Sequence, residues 1–310
     1  MSYYCAIDGG GTQTRCAIAD ATRVLGEHTA PSAKPARRGY EESGLLLFDA
    51  ILAACADADV PFNLLKGISI GMSGVWTEHE RSQLREALYA AAHAAMYPLP
   101  RILLASDIEN AVMGALGNDH GVVVISGTGS VAIGRNSSGA LLRVGGYGPE
   151  LGDEGSGAWI GRAAFQHMVR AVDGREQHTE LTRRLASILQ IHSADDVRVF
   201  IGDHRFDMAF FAELAPCVFE HAMHGLDEAR DIIHKAAEEL CLLAHGASAH
   251  FSAQPVPVCF LGSIAEQELM NHTLRQHIQA DRTLQWAEPR GTALDGALAR
   301  ARSAWMPAAS

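Results

Sequence analysis

The sequence predicts an α/β protein of two domains, each with a mixed sheet that begins as a three-strand meander and is completed by βα units. Three observations lead there. The 310 residues are long for a single core. A β-type apolar run ending in a glycine turn occurs twice, at Asp8-Gly9-Gly10-Gly11-Thr12 and at Ser126-Gly127-Thr128-Gly129-Ser130. After each turn come a second strand, a polar turn and a third strand, and only then does helical periodicity take over.

The first half opens with strands at 3–8, 14–20 and 23–29 around the glycine turn and a short polar turn at Ala21-Thr22. Residues 31–40, with Pro31, Pro35 and Gly39, read as a loop. Apolar residues at helical spacing (Leu45, Leu46, Phe48, Ile51, Leu52, Cys55) then predict a helix over 41–57. A strand at 67–71 runs into Met72-Ser73-Gly74. A helix at 77–95, a strand at 101–105 and a helix at 108–116 opened by Asp107 follow. The pattern restarts after the turn cluster Gly117-Asn118-Asp119-His120, with strands at 121–126, 130–135 and 140–145. Helices predominate from 154 to 250. A strand at 256–261 runs into Gly262-Ser263, and a helix at 264–280, a strand at 283–287 and a closing helix at 292–304 finish the chain.

Composition narrows the function. A net charge of −11 with no basic run argues against a nucleic-acid or anionic-membrane surface. An acidic chain that binds phosphate must do so locally, through backbone dipoles and a metal ion. The three lysines, Lys34, Lys66 and Lys235, follow no glycine turn, which excludes a Walker-type phosphate loop. The six cysteines are scattered without C-x-x-C spacing and read as reduced thiols in apolar segments. A strand begins within a few residues of the N-terminus, no apolar run is long enough to span a bilayer, and the expected location is cytoplasmic.

Gly127-Thr128-Gly129-Ser130-Val131-Ala132 formally fits the dinucleotide fingerprint, yet it continues as a strand instead of opening a helix. A glycine turn alone is a plain hairpin connection. Two of them on equivalent hairpins, flanked by Thr12, Thr14, Ser126, Thr128 and Ser130, point to a duplicated phosphate clamp. Asp8, at the end of the first strand, is placed either to hold Mg²⁺ directly or through water, or simply to form the turn. Asp107 follows a strand and opens a helix, so it is either a general base or, with Ser106 as the equal alternative, a helix cap. The glycine-dense stretch from Gly145 to Gly157 suits a loop whose backbone approaches a polyhydroxyl ligand, with Asp153 or Glu154 also available to cap the next helix.

These motifs occur in family order: Asp8 to Thr12, Met72-Ser73-Gly74, Ser106-Asp107, Ser126 to Ser130, Gly145 to Gly148, Gly152 to Ser156, Leu261-Gly262-Ser263 and Gly291-Thr292-Ala293. Together they resemble the BadF/BadG/BcrA/BcrD ATPase family over nearly the whole chain. Within it the chain looks most like the N-acetylglucosamine and glucosamine kinases of the sugar kinase/Hsp70/actin superfamily. The resemblance implies two ribonuclease H-like (actin-like ATPase) domains with an interdomain cleft. Their expected extents are residues 1–117 and 118–291, with helix 292–304 packing back on the first.

It also implies ATP and Mg²⁺ as cofactors and transfer of phosphate to the 6-hydroxyl of an amino sugar. By carry-over, Gly10, Gly11, Thr12, Thr128 and Gly129 contact the phosphates, while Gly262, Ser263 and Gly291 line the adenosine pocket. Asp8 binds the metal through water. Asp107 accepts the proton of the sugar hydroxyl, and Ser73, Gly146 and Asp153 position the sugar with it. One departure stands out: Lys34 occupies about the place where many members have an asparagine against the sugar ring. That weakens the case for N-acetylglucosamine and leaves glucosamine or a related sugar open. The cysteines do not supply the iron–sulfur ligands of the dehydratase-activating branch. The expected partners are a small amino sugar and, as the resemblance implies, a second copy of the chain. The competing readings are a non-catalytic nucleotide or sugar sensor, or an ATPase acting on a protein partner.

Overall fold

A computed structural model describes residues 2–203 and 208–305. The chain forms two compact units, one running to Asn118 and including the stretch from Pro289, the other Asp119–Glu288.

In the first unit β1 (Tyr3–Gly9), β2 (Gln13–Ala19) and β3 (Val24–Pro31) form the antiparallel meander. Strands β4 (Leu65–Met72) and β5 (Arg101–Ser106) add in parallel beyond β1, giving the order β3-β2-β1-β4-β5. The helices are α1 (Pro35–Arg38), α2 (Tyr40–Asp57), α3 (Glu78–Ala94) and α4 (Asp107–Leu116). The second unit repeats this scheme: β6 (Gly121–Ser126), β7 (Ser130–Arg135) and β8 (Leu141–Gly145) are antiparallel, and β9 (Val256–Leu261) and β10 (Leu284–Trp286) join β6 in parallel. Between β8 and β9 lie α5 (Gly157–Val172), α6 (Glu180–Leu189), α7 (Ala194–Asp203), α8 (Met208–Met223) and α9 (Asp227–Ser248), with α10 (Glu268–Ala280) after β9. The last helix, α11 (Ala293–Trp305), belongs to the first unit.

Strand alternation explains how the first sheet is covered on both faces. Cys5 and Ile7 of β1 and Cys16 and Ile18 of β2 enter the larger core with Leu47, Ile51, Leu84 and Leu88 of α2 and α3. The intervening Ala6, Ala17 and Ala19 are small, and Leu294, Ala297 and Leu298 of α11 lie on them. The core of the second unit gathers Val122 and Val124 of β6 with residues of α5, α6, α8, α9 and α10.

Two local readings differ from the observed chain. Residues 31–40 hold a helical turn where a loop is expected, because Pro35 sits at its first position, where a fixed φ and a missing N–H do no harm. Helix α10 begins at Glu268 instead of 264, since the amides of Ile264 and Ala265 both turn to the Ser126 carbonyl, at 3.0 and 3.4 Å.

Helices α4 and α11 meet at glycines. A Cβ on Gly296 would stand 2.0 Å from the Asn110 carbonyl oxygen. Glycine to alanine inside a helix ordinarily gains about 0.5–1 kcal/mol. Here the sign reverses: Gly296→Ala lowers the melting temperature followed by circular dichroism, and an unchanged or higher midpoint would contradict this packing.

Candidate functional site

In the first unit the β1–β2 register pairs Asp8 with Arg15 and Gly9 with Thr14. The turn is closed by the Gly10 amide donating to the Gln13 carbonyl at 2.9 Å. Two donors from the segment after β3 hold its carbonyls: the Ser32 hydroxyl on Gly10 O at 2.8 Å and the Arg37 guanidinium on Gly11 O at 3.1 Å. In a planar trans peptide the carbonyl and the following N–H point in opposite directions. Pinning these carbonyls therefore aims the amides of Gly11 and Thr12 away from the 32–38 segment.

The second unit repeats the device with other donors. The first amides of α5 do the pinning, Gly157 N to Gly127 O at 2.8 Å and Ala158 N to Thr128 O at 3.2 Å. The amides of Thr128 and Gly129 accordingly point away from α5. The N-terminus of that helix, with its partial positive charge, stands behind the turn. Ser156 caps α5 by accepting from Trp159 N at 3.2 Å, so neither Asp153 nor Glu154 is needed as the cap.

Asp153 is instead buried, with a φ of +60°, a conformation non-glycine residues rarely adopt. Its carboxylate accepts from the amides of Ser130, at 3.4 Å, and Gly148. Burial raises its pKa against these bonds. A Cβ on Gly129 would stand 2.8 Å from Asp153 Oδ2, so this carboxylate packs directly under the second turn. Gly146, with φ +72°, is held by the Arg143 guanidinium, which donates to the carbonyls of Gly145 and Gly146.

Gly262, with φ +99°, passes so close to the end of β6 that a Cβ would meet the Ser126 carbonyl oxygen at 2.5 Å. Ser263 and Ile264 then face Thr128 across a pocket of about 360 Å³, whose far wall is α8 with Ala209, Ala212, Glu213 and Pro216. Pro216 is the sequence signal of that wall: a proline inside a helix removes the N–H that would bond the carbonyl four residues back, here Ala212. Gly291 lies in the other unit, where its carbonyl packs near Gly114 and Asp295 caps the following Thr292 amide at 2.8 Å; it is not among the residues lining this pocket.

The carboxyl ends of β1, β4 and β5 bring Asp8, Ser73 and Asp107 together. The Ser73 amide donates to the Gly9 carbonyl at 2.7 Å, and its hydroxyl donates to the Asp107 carboxylate. Ser106, not Asp107, caps α4, in a capping box with Glu109. Asp107 keeps its carboxylate, which accepts from the Ile108 amide at 2.9 Å. Burial pushes the Asp107 carboxyl above its ordinary value. The Ile108 amide and Ser73 hydroxyl oppose that rise, nearby Asp8 adds to it, and Lys34 lowers it again.

Asp8 is engaged by Arg15, at 2.7 Å from its Oδ2. That cross-strand pair follows from hairpin symmetry, with Asp8 and Arg15 at equal distances either side of the turn. It leaves Oδ1 for a hydrated ion. A lone carboxylate of this kind suits Mg²⁺, which keeps most of its waters. Among the described residues the one group spaced for direct three-ligand coordination lies elsewhere, at His167, Glu176 and Glu228, and there Arg170 and Thr179 also bond the carboxylates.

Comparison with known proteins places these features in a family. The sequence pattern of the BadF/BadG/BcrA/BcrD ATPase family matches residues 6–297. An N-acetyl-D-glucosamine kinase of Dictyostelium discoideum is 30% identical over 250 residues, covering 76% of each chain. A glucosamine kinase of Vibrio cholerae is 28% identical over 302 residues, covering 96% of this chain and 95% of that one. A crystal structure from Chromobacterium violaceum, assigned as an N-acetylglucosamine kinase, superposes with a TM-score of 0.78 at 28% identity, covering 96% of this chain and 97% of that one. The likeness and the two five-stranded sheets bear out the ribonuclease H-like, actin-like ATPase fold.

The Asp107 environment is checked by titration. Carbon-detected NMR of the side-chain carboxyls should give Asp107 a pKa above that of a solvent-exposed aspartate. Ser73→Ala should raise it further, because the lost hydroxyl favours the charged form. A lower value in Ser73→Ala would contradict the hydrogen bond.

Proposed function

Because the chain belongs to the BadF/BadG/BcrA/BcrD ATPase family, we propose that it is an ATP-dependent kinase for the 6-hydroxyl of an amino sugar, N-acetylglucosamine or glucosamine. The observation that carries this reading is Asp107: a carboxylate freed from capping by Ser106, oriented by Ser73 and kept near a second carboxylate at a strand end.

In the proposed reaction the sugar oxygen forms the new bond to the γ-phosphorus, the bond from that phosphorus to the bridging oxygen breaks, and ADP leaves. Asp107 takes the hydroxyl proton. Its raised pKa brings it closer to neutrality than an ordinary aspartate, which improves a base. The outward amides of Gly11, Thr12, Thr128 and Gly129 are the donors for phosphate oxygens, fixed before the substrate arrives. The pocket beside Ser263 and α8 is the proposed seat of the adenosine, and Gly146 and Asp153 are proposed to position the sugar. Asp8 is the residue that would hold Mg²⁺ through water. When bound, that ion neutralises phosphate charge. Since phosphoryl transfer asks little covalent chemistry of the protein, positioning and charge stabilisation are the main contributions of these groups.

ADP release over a panel of amino sugars and hexoses tests the reading. Release stimulated by amino sugars is expected, whereas release that no sugar stimulates would favour a sensor or a partner-dependent ATPase. Asp107→Asn should lower kcat ~10²–10⁴-fold while ATP and sugar still bind in calorimetry; near-normal turnover would remove Asp107 from its role. In the wild type, kcat/KM should fall about tenfold per pH unit below the Asp107 pKa. Because that pKa is raised, the fall should begin at a higher pH than for an ordinary aspartate.

A further inference from the structure

Lys34 is one of three lysines in an acidic molecule. It is half-buried, and among the described residues its ammonium makes no hydrogen bond and no ion pair. An ammonium not bonded within the protein keeps its donors for water or a ligand.

Its position is fixed. The preceding Ser32 and Ala33 are buried, and Pro35 follows as the first residue of α1. The Ser32 hydroxyl holds Gly10 O, Ala33 N donates to Thr14 Oγ1 at 3.1 Å, and Lys34 N donates to Ser32 Oγ at 3.3 Å. The Lys34 carbonyl accepts from the amides of Arg37 and Arg38 at 3.0 and 3.2 Å. From this anchored backbone the side chain reaches Gly74, where a Cβ would lie 3.5 Å from Lys34 Cε. Gly74 directly follows Ser73, whose hydroxyl bonds Asp107, and the Lys34 charge is felt at the Asp107 carboxylate.

A hydroxyl that gives its proton to Asp107 must come within hydrogen-bond reach of that carboxylate. With its Cε beside Gly74 and its charge felt at Asp107, Lys34 is a cation that a hexose held there would meet. We infer that Lys34 reads the charge of the acceptor, favouring an amino sugar that carries a carboxylate or an acylated nitrogen and disfavouring the free 2-ammonium of glucosamine. This rests on the kinase reading above and refines its substrate. A sugar carboxylate gives the ammonium a charge-assisted hydrogen bond. An amide carbonyl gives a weaker one, and a second ammonium gives repulsion. The sign is opposite to the one suggested by the missing asparagine alone, because an ammonium only donates and cannot accept from a cationic substituent.

The test compares wild type with Lys34→Met, which keeps the length and removes the charge, and Lys34→Arg, which keeps the charge. Acceptors are N-acetylmuramic acid, N-acetylglucosamine and glucosamine, and circular dichroism checks folding. Lys34→Met should lower kcat/KM for N-acetylmuramic acid about tenfold or more, the usual worth of a charge-assisted hydrogen bond. It should change N-acetylglucosamine less and raise glucosamine, with Lys34→Arg keeping the wild-type order. Ratios between acceptors that Lys34→Met leaves unaltered, or a wild type that prefers glucosamine, would overturn the inference while leaving the kinase reading intact. If no sugar stimulates ADP release, the kinase reading itself fails. Calorimetry with N-acetylmuramic acid and glucosamine then still decides whether Lys34 selects by charge, and binding unaffected by Lys34→Met would overturn it.

Discussion

The hydrogen bonds that pin the carbonyls of the two glycine turns are the constraint on which the rest depends. A glycine turn is flexible on its own, and an anion site on a flexible turn would have to be ordered by each ligand. Here Ser32 and Arg37 hold one turn, and the first amides of α5 hold the other. Peptide planarity then does the remaining work, turning the following amides outward. The same result is reached by side chains in one unit and by a helix terminus in the other, on sheets of the same strand order. An acidic chain of net charge −11 can thus present local positive dipoles without basic residues in the turns.

The carboxylates are arranged around these turns by the same economy. Ser106 and Ser156 cap their helices, which frees Asp107 and Asp153 from that duty. Asp107 is oriented by the hydroxyl after β4, and Asp153 is held under the second turn in an uncommon backbone conformation. Strain of that kind persists only where surrounding contacts fix it, and the Ser130 and Gly148 amides do so here. Lys34 belongs to the same construction, since the segment that pins the first turn also carries its side chain toward Asp107.

Much of this was legible in the sequence because it is local. The meanders, the glycine turns and the position of Asp107 follow from alternation, turn residues and strand ends. The cap of α4 is also legible, since Glu109 stands three residues after Ser106 in the capping-box pattern, while Asp107 has Asn110 at that spacing. The short helix at Pro35–Arg38 is too short to show apolar periodicity, and its one local signal is Pro35 at the first position. The late start of α10 depends on bonds to Ser126, far away in the chain. The α8 wall of the pocket was hidden for the same reason, although Pro216 marked it. What local pattern supplies is the turn; what it omits is the partner that pins it.

The central claim is that phosphate passes from ATP to the 6-oxygen of an amino sugar. Phosphorus–proton correlation NMR of the product formed from ATP and N-acetylglucosamine or glucosamine measures this directly. The account predicts a sugar monophosphate whose phosphorus couples to the two protons on carbon 6. Coupling to the anomeric proton, or release of inorganic phosphate with no sugar phosphate, would contradict it.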